Sequence, residues 1–142
     1  MEDNTSAKFE FLASFMPNGI LDWFDFVKAN EEPVEKKDCI YKSTLHIYLD
    51  EKDNRTNEHL LLKPNGFTEP TVIKDFPVRN RNLILHVRRR RYLDENGKNV
   101  ILNLYPTTAE GTRYSEEFAV FLKGADGLDA SYRPIVRALF HD

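Results

Sequence analysis

The sequence predicts an α+β fold: a small, mainly antiparallel sheet with a short N-terminal helix and two C-terminal helices. Three observations carry this. Apolar and polar residues alternate with a period of two through the middle of the chain, as in half-buried strands. Asn-Gly and Pro-Asn-Gly sequences punctuate those runs as turns. Both ends show apolar residues at helical spacing. With 142 residues, 41% hydrophobic and 12% aromatic, the chain can bury the core of one ordinary domain.

Residues 5–16 read as the first helix. Ser6 is placed to cap it, and Phe9, Leu12, Phe15 and Met16 recur on one face. Pro17-Asn18-Gly19 ends it. Trp23–Ala29 reads as a strand, and the charged stretch 30–38, with Pro33, as a loop. Ile40–Leu49 is the next strand, with Leu45, Ile47 and Leu49 alternating with Thr44, His46 and Tyr48. Residues 50–63 are charged and give little periodic signal; Asp50, Glu51 and Asp53 read as a solvated loop. Pro64-Asn65-Gly66 is a second turn. Glu69–Pro77 is bounded by prolines, which favours an edge strand. Asn82–Leu93 is a long strand, Asp94–Lys98 a hairpin turn, and Asn99–Leu104 the third strand of a meander. Ser115 caps a helix through Lys123, and Gly124–Gly127 breaks it. Asp129 caps a second helix containing Pro134, Ile135, Val136, Leu139 and Phe140. Residues 1–123 are thus expected as one α+β unit and 124–142 as a helical tail.

The long strand carries four consecutive arginines, Arg88–Arg91, followed by Tyr92. Alternation puts His86, Arg88 and Arg90 on one face and Arg89 and Arg91 on the other. The overall charge is only −3, but it is unevenly spread. Residues 1–60 carry net −6 and residues 61–142 net +3, with seven basic residues against one acid in 74–91. A basic centre of this kind suits local binding of a polyanion. Arg88, Arg89, Arg90 and Arg91 are the candidate phosphate contacts, Lys74, Arg79 and Arg81 extend the patch, and Tyr92 is the candidate stacking residue. The bland alternative is a solvated strand end, with Arg89 and Arg91 paired to Asp94, Glu116 or Glu117.

Other chemistry has little support. Cys39 stands alone, which excludes an internal disulfide and a multi-cysteine zinc site. His46, His59, His86 and His141 share no metal-ligand spacing. No Gly-rich phosphate loop or nucleophile elbow occurs. No metal or cofactor is expected. The N-terminus lacks the features of a signal peptide, and no apolar run is long enough to span a bilayer, so a cytoplasmic location is expected.

The stretch Asp75–Tyr92 resembles the N-terminal region of bacterial insertion-sequence transposases of the ISL and ISAon types. Their pattern is an Asp-Leu-Pro element, a basic turn, an apolar strand and an Arg-rich end with an aromatic. Here these are Asp75-Phe76-Pro77, Val78–Arg81, Asn82–Val87 and Arg88–Tyr92. Gly19–Phe24, Leu45–Lys52 and Gly111–Phe118 also resemble parts of the ISAon-type region, so the resemblance spans about residues 17–123. In ISL-type relatives the module is a zinc ribbon. Here Leu93–Lys98 stands where a cysteine pair belongs, so zinc is not carried over. The resemblance implies a DNA-binding, non-catalytic segment that acts in transposition and DNA recombination. Its implied partners are double-stranded DNA at the element's ends and a separate catalytic transposase chain. A homodimer is compatible with this, and the tail helices are spaced like a truncated helix-turn-helix. The runner-up expectation is a protein-interaction module that binds the catalytic chain or another partner.

Overall fold

The computed structural model describes residues 2–37, 39–108 and 112–125. Over these residues it is an α+β structure of seven strands in two sheets with three short helices: α1 (Glu2–Ala13), α2 (Ile20–Trp23), β1 (Phe24–Pro33), β2 (Ser43–Glu51), β3 (Lys63–Phe67), β4 (Thr71–Val78), β5 (Arg81–Arg88), β6 (Arg90–Leu93), β7 (Asn99–Val100) and α3 (Glu116–Ala125). A single 3-10 turn, Asn57–His59, lies between β2 and β3.

The four-stranded sheet has the order β1-β2-β5-β4, and the three-stranded sheet β3-β6-β7. Hairpin pairing joins β1 to β2 and β4 to β5. The central pair, β2 and β5, is parallel, with Leu45 opposite Leu83 and Asp50 opposite Arg88. A parallel pair needs a long crossover. The 3-10 turn, β3 and β4 supply it. One face of this sheet presents Ile47, Leu49, Ile73, Leu83, Leu85 and Val87, packed against Met16, Ile20 and Phe24. Fully burying each such side chain stabilises the fold by about 1.5–3 kcal/mol. A second cluster, Tyr41, Phe118 and Leu122, seats α3 near Phe76 and Tyr114.

Several sequence expectations need correction. Ser6 lies inside α1 rather than at its cap, because the helix begins near residue 2. The first strand starts at Phe24 and continues through the expected loop to Pro33, because its charged residues pair with β2 along an exposed edge. The second strand begins only at Ser43 and runs on to Glu51, so Asp50 and Glu51 are strand residues. Pro64-Asn65-Gly66 lies within β3, where the register shifts at a bulge and Gly66 takes φ +76°. The expected meander is divided between the sheets. The long strand breaks at Arg89, and β7 contains only Asn99 and Val100.

Two other expectations agree with the structure. β4 is an edge strand of the four-stranded sheet, partly covered where Lys74 bridges Tyr114. Ser115 caps α3: its Oγ accepts from the Phe118 N–H at 3.3 Å. Gly124, expected to break this helix, is instead within it, because α3 runs on to Ala125. The expected second tail helix, from Asp129, lies outside the described residues. Among those residues, no helix is long and apolar enough to cross a membrane.

Candidate nucleic-acid interface

The arginine run sits where the chain leaves one sheet for the other. Arg88 ends β5, Arg90 opens β6, and Arg89 spans the gap. The Arg89 backbone exchanges two hydrogen bonds with Thr68: its N–H donates to Thr68 Oγ1 at 3.0 Å, and its carbonyl accepts from the Thr68 N–H at 2.7 Å. The crossing is therefore a fixed joint.

Its counter-charges come from the end of β2. The parallel register puts Asp50 beside Arg88, which donates Nε and Nη2 to the two carboxylate oxygens at 2.7 and 2.6 Å. Glu51 is 3% exposed. It accepts from Arg89 Nη1 at 3.3 Å and from the Arg90 N–H at 2.8 Å, while its backbone carbonyl accepts from Arg90 Nε at 2.8 Å. Arg89 also donates to the Tyr105 carbonyl at 2.7 Å. Burial, opposed by Glu51, pulls the Arg89 pKa below its ordinary value. The guanidinium groups of Arg88 and Arg90 both lie over the Phe67 ring, at 4.6 and 5.0 Å, so the two share a face as alternation predicts. Asp50 and Glu51, expected in a solvated loop, are thus the partners of Arg88, Arg89 and Arg90, whereas Asp53 pairs with Arg55. Asp94, Glu116 and Glu117 are not its ion-pair partners among the described residues.

Arg91 differs from its neighbours. Its side chain lies opposite the β3 bulge, close enough that a Cβ on Gly66 would stand 3.8 Å from Nη2. Among the described residues its guanidinium has no acidic partner, and its Nε is buried with no hydrogen bond. A buried donor left without an acceptor costs about 1–3 kcal/mol. Lys63 on β3 and Lys98 in the β6–β7 turn are exposed on the same small sheet.

The other candidate residues are scattered. Tyr92 is only 1% exposed, and its hydroxyl donates to Asp53 Oδ1 at 2.9 Å. Burial and that carboxylate push the Tyr92 pKa up to about 12. Arg55, ahead of Tyr92, holds Asp53 well below the usual carboxylate range. The enclosed Tyr92 ring offers no open face for a base. Arg79 is exposed at the β4–β5 turn with φ +58°. Arg81 pairs with Glu31 at 3.0 Å, and Glu31 also accepts from Ser43 Oγ, which with Arg81 lowers its pKa. Lys74 is half-buried on the β4 edge, where burial and then Arg113 lower its pKa. These three do not join the Arg88–Arg91 cluster.

No family model, curated protein or solved structure matches this chain.

The structure gives new roles to residues that the sequence placed elsewhere. Asp50 and Glu51 are central to the site. A signal for them exists: β2 and β5 are apolar strands of similar length, and each ends in charges of opposite sign. His46 and His86, separated by forty positions, come within 2.7 Å across the β2–β5 pair. No local motif encodes such a contact.

Proposed function

We propose that this chain is a DNA-binding segment of an insertion-sequence transposase, non-catalytic by itself, that docks on double-stranded DNA and works with a separate catalytic chain in the cytoplasm. The observation that carries the reading is Arg91, a half-buried arginine of β6 whose guanidinium has no acidic partner among the described residues. A phosphate would supply the missing counter-charge, and arginine binds phosphate through charge-assisted hydrogen bonds. Exposed Lys63 and Lys98 give the same sheet further positive charge.

Within this reading the four arginines divide by role. Arg89 and Arg90 brace the joint through Glu51. Arg88 is held by Asp50 yet keeps 43% of its side chain exposed, so it can meet a phosphate without leaving its carboxylate. Arg91 is the principal contact. The resemblance to transposase N-terminal regions agrees with this basic ribbon but rests on sequence alone.

One observation favours a second reading as a protein-interaction module: Leu60 and Leu61 are adjacent and 78% and 67% exposed. Fluorescence anisotropy with a labelled duplex separates the two. The DNA reading expects binding that Leu60→Ser and Leu61→Ser leave intact and Arg91→Gln weakens. The interaction reading expects no duplex binding, and capture of a catalytic transposase chain that those leucine substitutions abolish.

A further inference from the structure

On the sheet face turned away from the core, three rings lie side by side: His46 and Tyr48 on β2, and His86 on β5. His46 Nδ1 is 2.7 Å from His86 Nε2. Tyr48 stacks on His86 with centroids 4.4 Å apart and planes at 11°. The Lys28 ammonium lies 4.7 Å over the Tyr48 ring. Glu32 Oε1 is 3.5 Å from the other nitrogen of His46. The rings and Lys28 cover one another's faces, so a stacking platform for bases is a poor fit.

A metal ion fits poorly as well. Two nitrogens bound at about 2.0–2.1 Å to one ion stand roughly 2.9 Å apart at a right angle and farther apart at wider angles. Their lone pairs must also converge on a third point rather than on each other. Among the described residues, no group of three or more His, Cys, Asp or Glu is arranged to hold a metal.

What the geometry suits is a proton. A hydrogen bond between two imidazoles needs one N–H and one lone pair. The neutral pair satisfies this. The pair with one extra proton does too, with His46 donating to His86 on one side and facing Glu32 on the other. With a second extra proton, both facing nitrogens carry hydrogens and both rings are cations, and the contact has to open.

We propose that His46 and His86 form a proton-operated clasp on the parallel junction between β2 and β5, closed while at least one ring is neutral and open once both are charged. Among the described strands, this junction is the ladder that joins the β1–β2 hairpin to the β4–β5 hairpin. Opening the clasp therefore acts where the two halves of the sheet meet. The charged and titratable groups around it are Lys28 and Glu32 from β1, Tyr48 and Asp50 from β2, Arg88 from β5, and Lys74 from β4, opposite Ile84. Burial, and then the charge of His46, hold His86 below its ordinary value of 6.5, while Glu32 pulls the other way. A histidine with a lowered folded-state pKa contributes stability that is complete above 6.5 and lost as the pH falls through the folded value. The clasp is thus expected to open only below pH 6.5, where His86 takes up its proton. It does not depend on the DNA reading.

The test is an NMR titration of the imidazole nitrogens in the full chain, from about pH 8 to 4.5, beside thermal midpoints over the same range. In the native sequence His86 is expected to titrate below 6.5, with each ring's signals sensing the other's protonation. Two variants shift it in opposite directions. His46→Asn removes a positive neighbour, so the His86 midpoint rises and the thermal midpoint falls less between pH 7 and 5. Glu32→Gln, at an exposed position, removes a negative neighbour, so the His86 midpoint falls further. If His46→Asn does not fold, the Glu32→Gln direction still decides. A His86 midpoint at or above 6.5, or one unmoved by the variant that folds, would overturn the proposal.

Discussion

Glu51 should be the carboxylate on which the arginine joint depends most, and Asp50 should matter far less although its own salt bridge is shorter. In Glu51→Ala two things are lost at once. The Arg90 N–H loses its acceptor at 2.8 Å, which costs about 1–3 kcal/mol for a buried donor. Arg89, with only 16% of its side chain exposed, loses its counter-charge, and removing one partner of a buried pair costs about 3–5 kcal/mol. The Tyr105 carbonyl still accepts from Arg89, and water can enter the space, so a net loss of about 3–4 kcal/mol is expected. That is a large part of the 5–15 kcal/mol typical of a domain. Asp50→Ala strips a partner from Arg88, whose side chain is 43% exposed, and should cost about 1 kcal/mol or less. Glu51→Gln keeps an acceptor for the Arg90 N–H but not the charge, and should fall between the two. Urea unfolding, with free energies compared across the three variants, measures this. A loss below about 1 kcal/mol in Glu51→Ala, or an Asp50→Ala loss of equal size, would refute the division into a buried brace and an exposed contact.

Further outcomes are expected. Asp75 is buried against Ser115 Oγ at 2.6 Å, and burial raises its pKa above 3.8, so its charge is a net cost at neutral pH; Asp75→Asn should change stability at pH 7 by less than about 1 kcal/mol, whereas Ser115→Ala, which removes both the α3 cap and the donor to Asp75, should cost about 2–3 kcal/mol. Because the folded-state pKa lies above the unfolded one, the native chain should gain stability relative to Asp75→Asn as the pH falls through the folded value, as read by paired denaturation curves. Excess chelator should leave the thermal transition unchanged, and stoichiometric, tightly bound zinc in the purified protein would contradict that. In a nicking assay with Mg²⁺ or Mn²⁺, the isolated chain should leave duplex DNA uncut.

Much of the fold was legible because its signals are local. The alternation in Leu45–Leu49 and Leu83–Val87 gave the two central strands, and Ser115 marked its helix by cap chemistry. Elements were misplaced where tertiary pairing overrode local preference. Glu31, Glu32 and Pro33 read as loop residues but extend β1 because β2 lies alongside. Pro64-Asn65-Gly66 read as a turn but is a bulge in β3. At the site, the run Arg88–Arg91 stood out, and so did the shared face of Arg88 and Arg90. Their neutralisation by Asp50 and Glu51 did not, because it depends on a parallel register across a long crossover. The His46–His86 contact was hidden for the same reason, and burial of Tyr92 is invisible to a reading of neighbouring residues.

On the proposed reading, Arg91 meets the phosphate backbone of duplex DNA. The most direct measurement is the salt dependence of duplex binding by the native chain and by Arg91→Gln. Each phosphate contact contributes about −0.9 to the slope of log affinity against log salt. Measurable binding that weakens with salt is expected, with a slope flatter by about 1 in Arg91→Gln and the variant's thermal midpoint retained. Duplex binding that is absent at low salt, or a slope that Arg91→Gln leaves unchanged, would contradict it.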